Sequence, residues 1–146
     1  MGHIGLTPQS VSKLGGYKTQ GRTAIAARRL VDDALALEAA GCYAIVLEAV
    51  PAPVAEAITE RLNIPTIGIG AGPHCDGQVL VYHDILGLYD KVQPRFVKQY
   101  LQLQQPITEA FESFRDDVAA RKFPTEEHSF AMNSDELELF KKSLKG

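Results

Sequence analysis

The stretch Tyr43-Ala44-Ile45-Val46-Leu47-Glu48-Ala49-Val50-Pro51 decides how this chain reads. From Tyr43 to Leu47 it runs without a polar interruption, then ends on a carboxylate. A strand with one wet face alternates apolar and polar residues. An uninterrupted run of strand length therefore predicts a strand covered on both faces, as in a parallel sheet. Glu48 then stands at the strand's C-terminal end. Pro51 and Pro53 follow where a helix can open, since proline is tolerated in a first helical turn.

Working outward, residues 23–40 place Ala27, Leu30, Val31, Ala34, Leu35 and Leu37 at helical spacing, with Arg28, Arg29, Asp32 and Asp33 interleaved. The pattern predicts an amphipathic helix opened by Thr23 and closed by Gly41. Beyond Pro53, Val54, Ile58 and Leu62 recur every four residues on one face of a second helix. Pro65-Thr66-Ile67-Gly68-Ile69 reads as another buried strand, emptying into the turn Gly70-Ala71-Gly72-Pro73, where the backbone bends sharply or meets something closely. Gln78-Val79-Leu80-Val81-Tyr82 is a third strand candidate.

Near the start, Ile4-Gly5-Leu6 looks like the end of a buried strand with only three residues before it. A central strand cut that short would leave backbone groups unpaired, so the expectation is a chain that begins inside an element. From Pro94 onward, Phe96, Tyr100, Leu103, Ile107, Phe111, Phe114 and Val118 recur at steps of three and four, predicting one helical face interrupted near Pro106. After Phe123 the tail is polar, and a short helix fits 134–144.

Repeated strand–helix units of this length imply a parallel α/β sheet. A (β/α)₈ TIM barrel takes ~250 residues for eight units. With 146 residues and about four units, the chain reads as half a barrel over 1–123, followed by a polar tail over 124–146.

Bulk properties narrow the function. A hydrophobic fraction of 45% and a charged fraction of 23% are those of a globular domain, and a net charge of −3 lacks the basic footprint that nucleic acid demands. No stretch reaches the ~20 apolar residues of a membrane span. The first residues lack the basic flank and apolar core of a signal peptide, so a cytoplasmic protein is expected. Cys42 and Cys75 lie far apart with no CxxC or Cys/His cluster, and read as free thiols.

Glu48 lies where barrel enzymes carry catalytic groups, at the C-terminal end of a strand. On residues alone it is either such a group or a strand-end carboxylate paired with a Lys or Arg. The Gly68-x-Gly70-x-Gly72 run lacks the G-x-G-x-x-G spacing and a ribose-reading acid, and reads as a tight turn shaping a pocket. His74, Asp76, His83 and Asp84 are metal-binding types without a metal-site spacing such as H-E-x-x-H. Turn chemistry accounts for them, and no metal ligand is assigned.

Several segments in fixed order carry a resemblance. They are Gly2-His3-Ile4-Gly5-Leu6-Thr7-Pro8-Gln9-Ser10, Gly15-Gly16-Tyr17-Lys18-Thr19-Gln20-Gly21, Asp33-Ala34-Leu35-Ala36-Leu37-Glu38-Ala39-Ala40-Gly41 and Val46-Leu47-Glu48-Ala49-Val50-Pro51. Ile64-Pro65-Thr66-Ile67-Gly68-Ile69-Gly70-Ala71-Gly72, Asp76-Gly77-Gln78-Val79-Leu80-Val81-Tyr82-His83-Asp84 and Glu126-Glu127-His128-Ser129-Phe130 follow. Together they resemble the C-terminal half of the ketopantoate hydroxymethyltransferases, from the first residues to about Phe130.

The resemblance implies strands five to eight of a (β/α)₈ barrel related to the phosphoenolpyruvate mutase and isocitrate lyase group, assembled as a homo-oligomer, a decamer in the family. It implies transfer of a one-carbon unit from 5,10-methylenetetrahydrofolate to 3-methyl-2-oxobutanoate, giving 2-dehydropantoate in pantothenate and coenzyme A biosynthesis. Mg²⁺ holds the keto acid. The chemistry needs a base beside the ketone and a Lewis acid for the enolate. The resemblance puts the proton acceptor on Glu48. His3 would face the pocket, as a substrate contact or as a satisfied core histidine. The glycine turn at 68–72 would lie on the folate side. The family's Mg²⁺ ligands, acidic residues of the first four strands, and the lysine and serine that grip the keto acid have no counterpart motif here. A base without them should have little activity, since the parts of a catalytic unit fail together. A rival from another class is a non-catalytic half-barrel that self-associates or caps a longer enzyme. A related lyase would need motifs that are absent.

Overall fold

The computed structural model describes residues 1–10, 12, 15–89 and 93–145. They form two compact units, Met1–Gln102 and Leu103–Gly146. This division by packing differs from the compositional boundary drawn at 123/124.

In the first unit the apolar run becomes a strand at the centre of a parallel sheet. Strands β1 (Gly2–Gly5), β2 (Ile45–Glu48) and β3 (Thr66–Ile69) lie side by side, and β4 (Gly77–Gln78) adds a short edge. The register sets Gly5, Glu48 and Ile69 in one row at the C-terminal ends. β1 pairs along its whole length with β2 and is no shorter than its neighbours.

Successive strand side chains point to opposite faces. Ile4, Ile45, Leu47 and Thr66 are buried on one face, whereas His3, Val46, Glu48, Ile67 and Ile69 are half-buried on the other. The expectation of cover on both faces holds for one only. That face packs on helix α1 (Ala24–Ala39) and helix α2 (Ala52–Thr59), where Leu30, Ala34, Ala55 and Ile58 close a core with Ile4, Ile45, Leu47, Val50 and Ala71. α1 begins where expected: the Thr23 hydroxyl accepts a bond from the Ala26 N–H at 3.2 Å, satisfying a first-turn donor. It ends at Gly41, whose φ is 93°.

Parallel strands normally need a crossover of a dozen or more residues, yet β3 reaches β4 through Gly70–Asp76 alone. A polar clamp holds this short return. The Asp76 carboxylate accepts from the Thr66 N–H at 2.8 Å and the Thr66 hydroxyl at 3.1 Å, while the Thr66 and Thr59 hydroxyls lie 2.8 Å apart. Thr66 is fully buried. The Thr66 N–H bond holds the Asp76 carboxyl below its ordinary 3.8 despite some opposing desolvation. A depressed folded pKa gives stability that is present above the unfolded value and lost as pH falls through the folded one. Thermal unfolding followed below pH 3.8 should show the parent losing more stability than Asp76→Asn. Asp76 is exposed, so the difference is small. Equal acid sensitivity would refute the clamp.

Two sequence expectations change. Of the strand proposed at 78–82 only Gln78 is in the ladder. Val79 N–H still bonds the Gly68 carbonyl at 3.0 Å, but β3 turns away at Gly70 (φ 64°), and among the described residues Leu80 and Val81 have no partner strand. Tyr82 opens helix α3 (Tyr82–Ile85) instead. The helical face from Pro94 also breaks earlier than Pro106. Phe96 packs against Gly70, and the Tyr100 N–H bonds the Ile85 carbonyl at 2.9 Å, so this segment serves the sheet end. Helix α4 (Gln104–Ala119) starts later with Pro106 in its first turn, where its missing N–H costs nothing.

In the second unit, α4 is followed by a 3₁₀ turn at Glu126–His128 and helix α5 (Ser134–Ser143). The short helix fitted to 134–144 is present. Phe123 stacks edge-on with Phe114 and His128, at 5.6 and 4.9 Å between ring centres. Among the described residues no helix is long and apolar enough to cross a membrane.

Candidate functional site

The half-buried face of the sheet brings together two residues singled out from sequence. His3 sits within β1 opposite Val46, and Glu48 ends β2. Alternation places both side chains on the same face, and His3 Nε2 lies 3.0 Å from Glu48 Oε2. The His3 side chain is 32% exposed and that of Glu48 15%, so solvent reaches the pair. Among the described residues the partner of Glu48 is an imidazole and not the Lys or Arg of an ordinary strand-end ion pair. With Nε2 protonated, the ring donates to Glu48 Oε2.

The backbone around Glu48 is tightly held. Its carbonyl accepts from the Leu6 N–H at 2.7 Å, and the Ala49 N–H bonds the Ile69 carbonyl at 2.9 Å. Ala49 has φ 49°, a left-handed conformation uncommon for a residue with a β-carbon. Sequence reasoning passed over Ala49, because positive φ at alanine has no sequence signal, and over Gly5, whose close neighbour on β2 depends on register.

Next to this row, beyond the end of β3, lies a concavity of about 490 Å³ lined by Gly70, Gly72, Pro73, Gln78, Val79, Leu80 and Phe96. The glycines of the 68–72 turn are needed for close packing. A β-carbon at Gly70 would stand 2.6 Å from the Phe96 ring, and one at Gly72 would collide with Ala52. Gln78 donates its amide to the Gly72 carbonyl at 2.9 Å. The turn does shape a pocket wall.

The four metal-type residues do not converge. His74 Nδ1 lies 3.4 Å from Glu56 on α2, and Asp76 is spent on Thr66. Among the described residues, no three His, Cys, Asp or Glu side chains lie together where they could hold a metal ion. Cys75 is partly buried beside Gly68, and burial pushes its thiol above the ordinary value, which disfavours the reactive thiolate.

The profile of the ketopantoate hydroxymethyltransferases matches residues 1–126. The chain belongs to that family. The 3-methyl-2-oxobutanoate hydroxymethyltransferase of Oleidesulfovibrio alaskensis is 56% identical over 146 residues, covering 100% of this chain and 50% of that protein. The same-named proteins of Nitratidesulfovibrio vulgaris (strain DP4) and Pelobacter propionicus are 57% and 58% identical over 144 and 130 residues. They are covered over 47% and 48% of their own lengths. The chain thus spans about half the length of the curated relatives it matches, corresponding to their C-terminal half. The family fold is the TIM barrel, and the four parallel strands described above supply half of one.

Proposed function

We propose that this chain carries the base and part of the pocket wall of a 3-methyl-2-oxobutanoate hydroxymethyltransferase, the activity its relatives are named for. The observation that carries the reading is Glu48. It is a carboxylate at the C-terminal end of a parallel strand, on the half-buried sheet face, oriented by an imidazole at 3.0 Å. Such strand ends are where barrel enzymes do chemistry.

In the proposed reaction, Glu48 takes the proton from the carbon beside the ketone of 3-methyl-2-oxobutanoate. The C–H electron pair passes into the enolate. That carbon then bonds the one-carbon unit delivered by 5,10-methylenetetrahydrofolate, water supplies the hydroxyl, tetrahydrofolate leaves, and the product is 2-dehydropantoate. His3 holds the carboxylate in place and borders the keto acid. The concavity at Gly70, Gly72 and Phe96 lies on the folate side. Mg²⁺ belongs to the family pattern, but the described residues offer no metal cluster. We place its ligands in the part of the family's length that this chain does not span, so the chain alone should have little activity. The same reading makes the protein cytoplasmic and homo-oligomeric, decameric in the family pattern.

The test is formation of 2-dehydropantoate from 3-methyl-2-oxobutanoate by a protein of full family length containing this sequence. Product must depend on 5,10-methylenetetrahydrofolate and Mg²⁺, and failure to form it would sink the reading. His3→Ala in that protein should lower kcat by about tenfold to a hundredfold. This corresponds to the ~1.5–3 kcal/mol of a hydrogen bond to a charged group. An unchanged kcat would remove His3 from the site.

A further inference from the structure

The turn behind Glu48 is strained, and backbone hydrogen bonds from two sides hold it in place. Ala49 at φ 49° sits in a region that costs a residue with a β-carbon free energy. Its N–H is held by the Ile69 carbonyl, and its own carbonyl accepts from the Gln20 N–H, both at 2.9 Å. One bond comes from the neighbouring strand and the other from the loop that follows β1. Just before the turn, the Glu48 carbonyl is fixed by Leu6.

The turn also changes which face the chain occupies. Continued strand alternation would put Val50 on the half-buried face with Val46 and Glu48. After the left-handed step Val50 is instead 2% exposed, inside the core. β2 therefore stops at Glu48, with the carboxylate as the last side chain on the open face.

Gly5 makes this possible. It stands opposite Glu48 in the register with φ 90°. A β-carbon there would collide with the Glu48 carbonyl oxygen and stand 2.6 Å from Val50 Cγ2. Neither neighbour is the loose end of a flexible side chain: one is backbone, the other a packed core methyl. A side chain at Gly5 forces apart β1 at Gly5 and the peptide that carries Glu48.

We propose that Gly5 and Ala49 are positioning residues, which set the place of the Glu48 carboxylate through the backbone. The inference rests on the reading of Glu48 as the base, and goes beyond it by naming what aims that base. Misplacing a catalytic group by about an ångström can cost ~10²-fold in rate. In a full-length family enzyme containing this sequence, Gly5→Ala should lower kcat by about tenfold to a hundredfold, with KM for the keto acid little changed.

Global destabilisation could also lower activity, so the decisive readout is a double-mutant cycle with Glu48→Gln. If Gly5 acts through Glu48, Gly5→Ala costs little once the carboxylate is gone, because residues acting as one unit are not additive. A merely structural role would give the same fold-loss in both backgrounds, and would overturn the proposal. Ala49→Val, whose branched side chain resists the left-handed region, is read through the same cycle and serves if Gly5→Ala fails to fold. Full activity in Glu48→Gln would defeat the base assignment. Loss of activity in Glu48→Gln with normal kcat in both Gly5→Ala and Ala49→Val would defeat only the positioning role.

Discussion

Glu48→Gln, placed in a full-length family enzyme containing this chain, is expected to lose roughly 10²–10⁴-fold in kcat, the range that general-base catalysis supplies. The substitution keeps the size of the side chain and an oxygen for the His3 ring, so the 3.0 Å contact survives. What it removes is the ability to accept a proton. KM for 3-methyl-2-oxobutanoate should change little, because the lost interaction matters in the transition state and not in ground-state binding. The step can be isolated from folate chemistry. In D₂O the parent should exchange the hydrogen on the carbon beside the ketone, seen as loss of its proton NMR signal, and Glu48→Gln should not. Exchange at the parent rate would show that another group takes the proton.

The strand containing Glu48 was legible in sequence because the apolar run from Tyr43 to Leu47 has strand length and suits a parallel sheet, although only one of its faces is fully buried. The helix at Ala24–Ala39 was equally legible, since its cap at Thr23 and stop at Gly41 both follow local rules. Local rules fail where tertiary contacts compete. Phe96 and Tyr100 carry helical spacing, yet Phe96 fills the space over Gly70 and the Tyr100 N–H bonds Ile85. Tyr82 has strand propensity, but β3 ends before it could pair. At the site, residue type and strand-end position left Glu48 open between a catalytic group and an ion-paired carboxylate, and only the family resemblance singled it out, while the side-chain contact with His3 on the neighbouring strand depended on register. Gly5 and Ala49 were invisible for a different reason. Their roles reside in backbone angles and in what a β-carbon would strike: alanine carries no signal of a positive φ, and the glycine in β1 signals a close approach without saying to what.

The burial pattern of β2 makes a second large prediction, measured on this chain by chemical denaturation. Leu47 is fully buried in the core between the sheet and the helices. Leu47→Ala should cost about 2–5 kcal/mol, combining lost burial with an unfilled cavity. That is a large share of the ~5–15 kcal/mol by which domains are stable. Val46, one residue earlier, is half-buried on the opposite face, and Val46→Ala should cost less than Leu47→Ala, at most about 1.5 kcal/mol given the ~0.8 kcal/mol per buried methylene. A register slip of one residue would exchange the two faces, so a larger loss at Val46 than at Leu47 would refute the sheet as described. The same pair reads the barrel in a protein of full family length. There the face bearing Val46, Ile67 and Ile69 becomes interior, and barrel interiors are filled by layers of such side chains. The Val46→Ala cost should then rise toward that of Leu47→Ala, while the Leu47→Ala cost stays nearly constant, because the helices that cover Leu47 are already in this chain. An unchanged Val46→Ala cost would mean that the face carrying Glu48 stays open even in the longer protein. Glu48, in its proposed role as base, would then lack the water-excluding enclosure that strengthens electrostatic effects at a proton-transfer site.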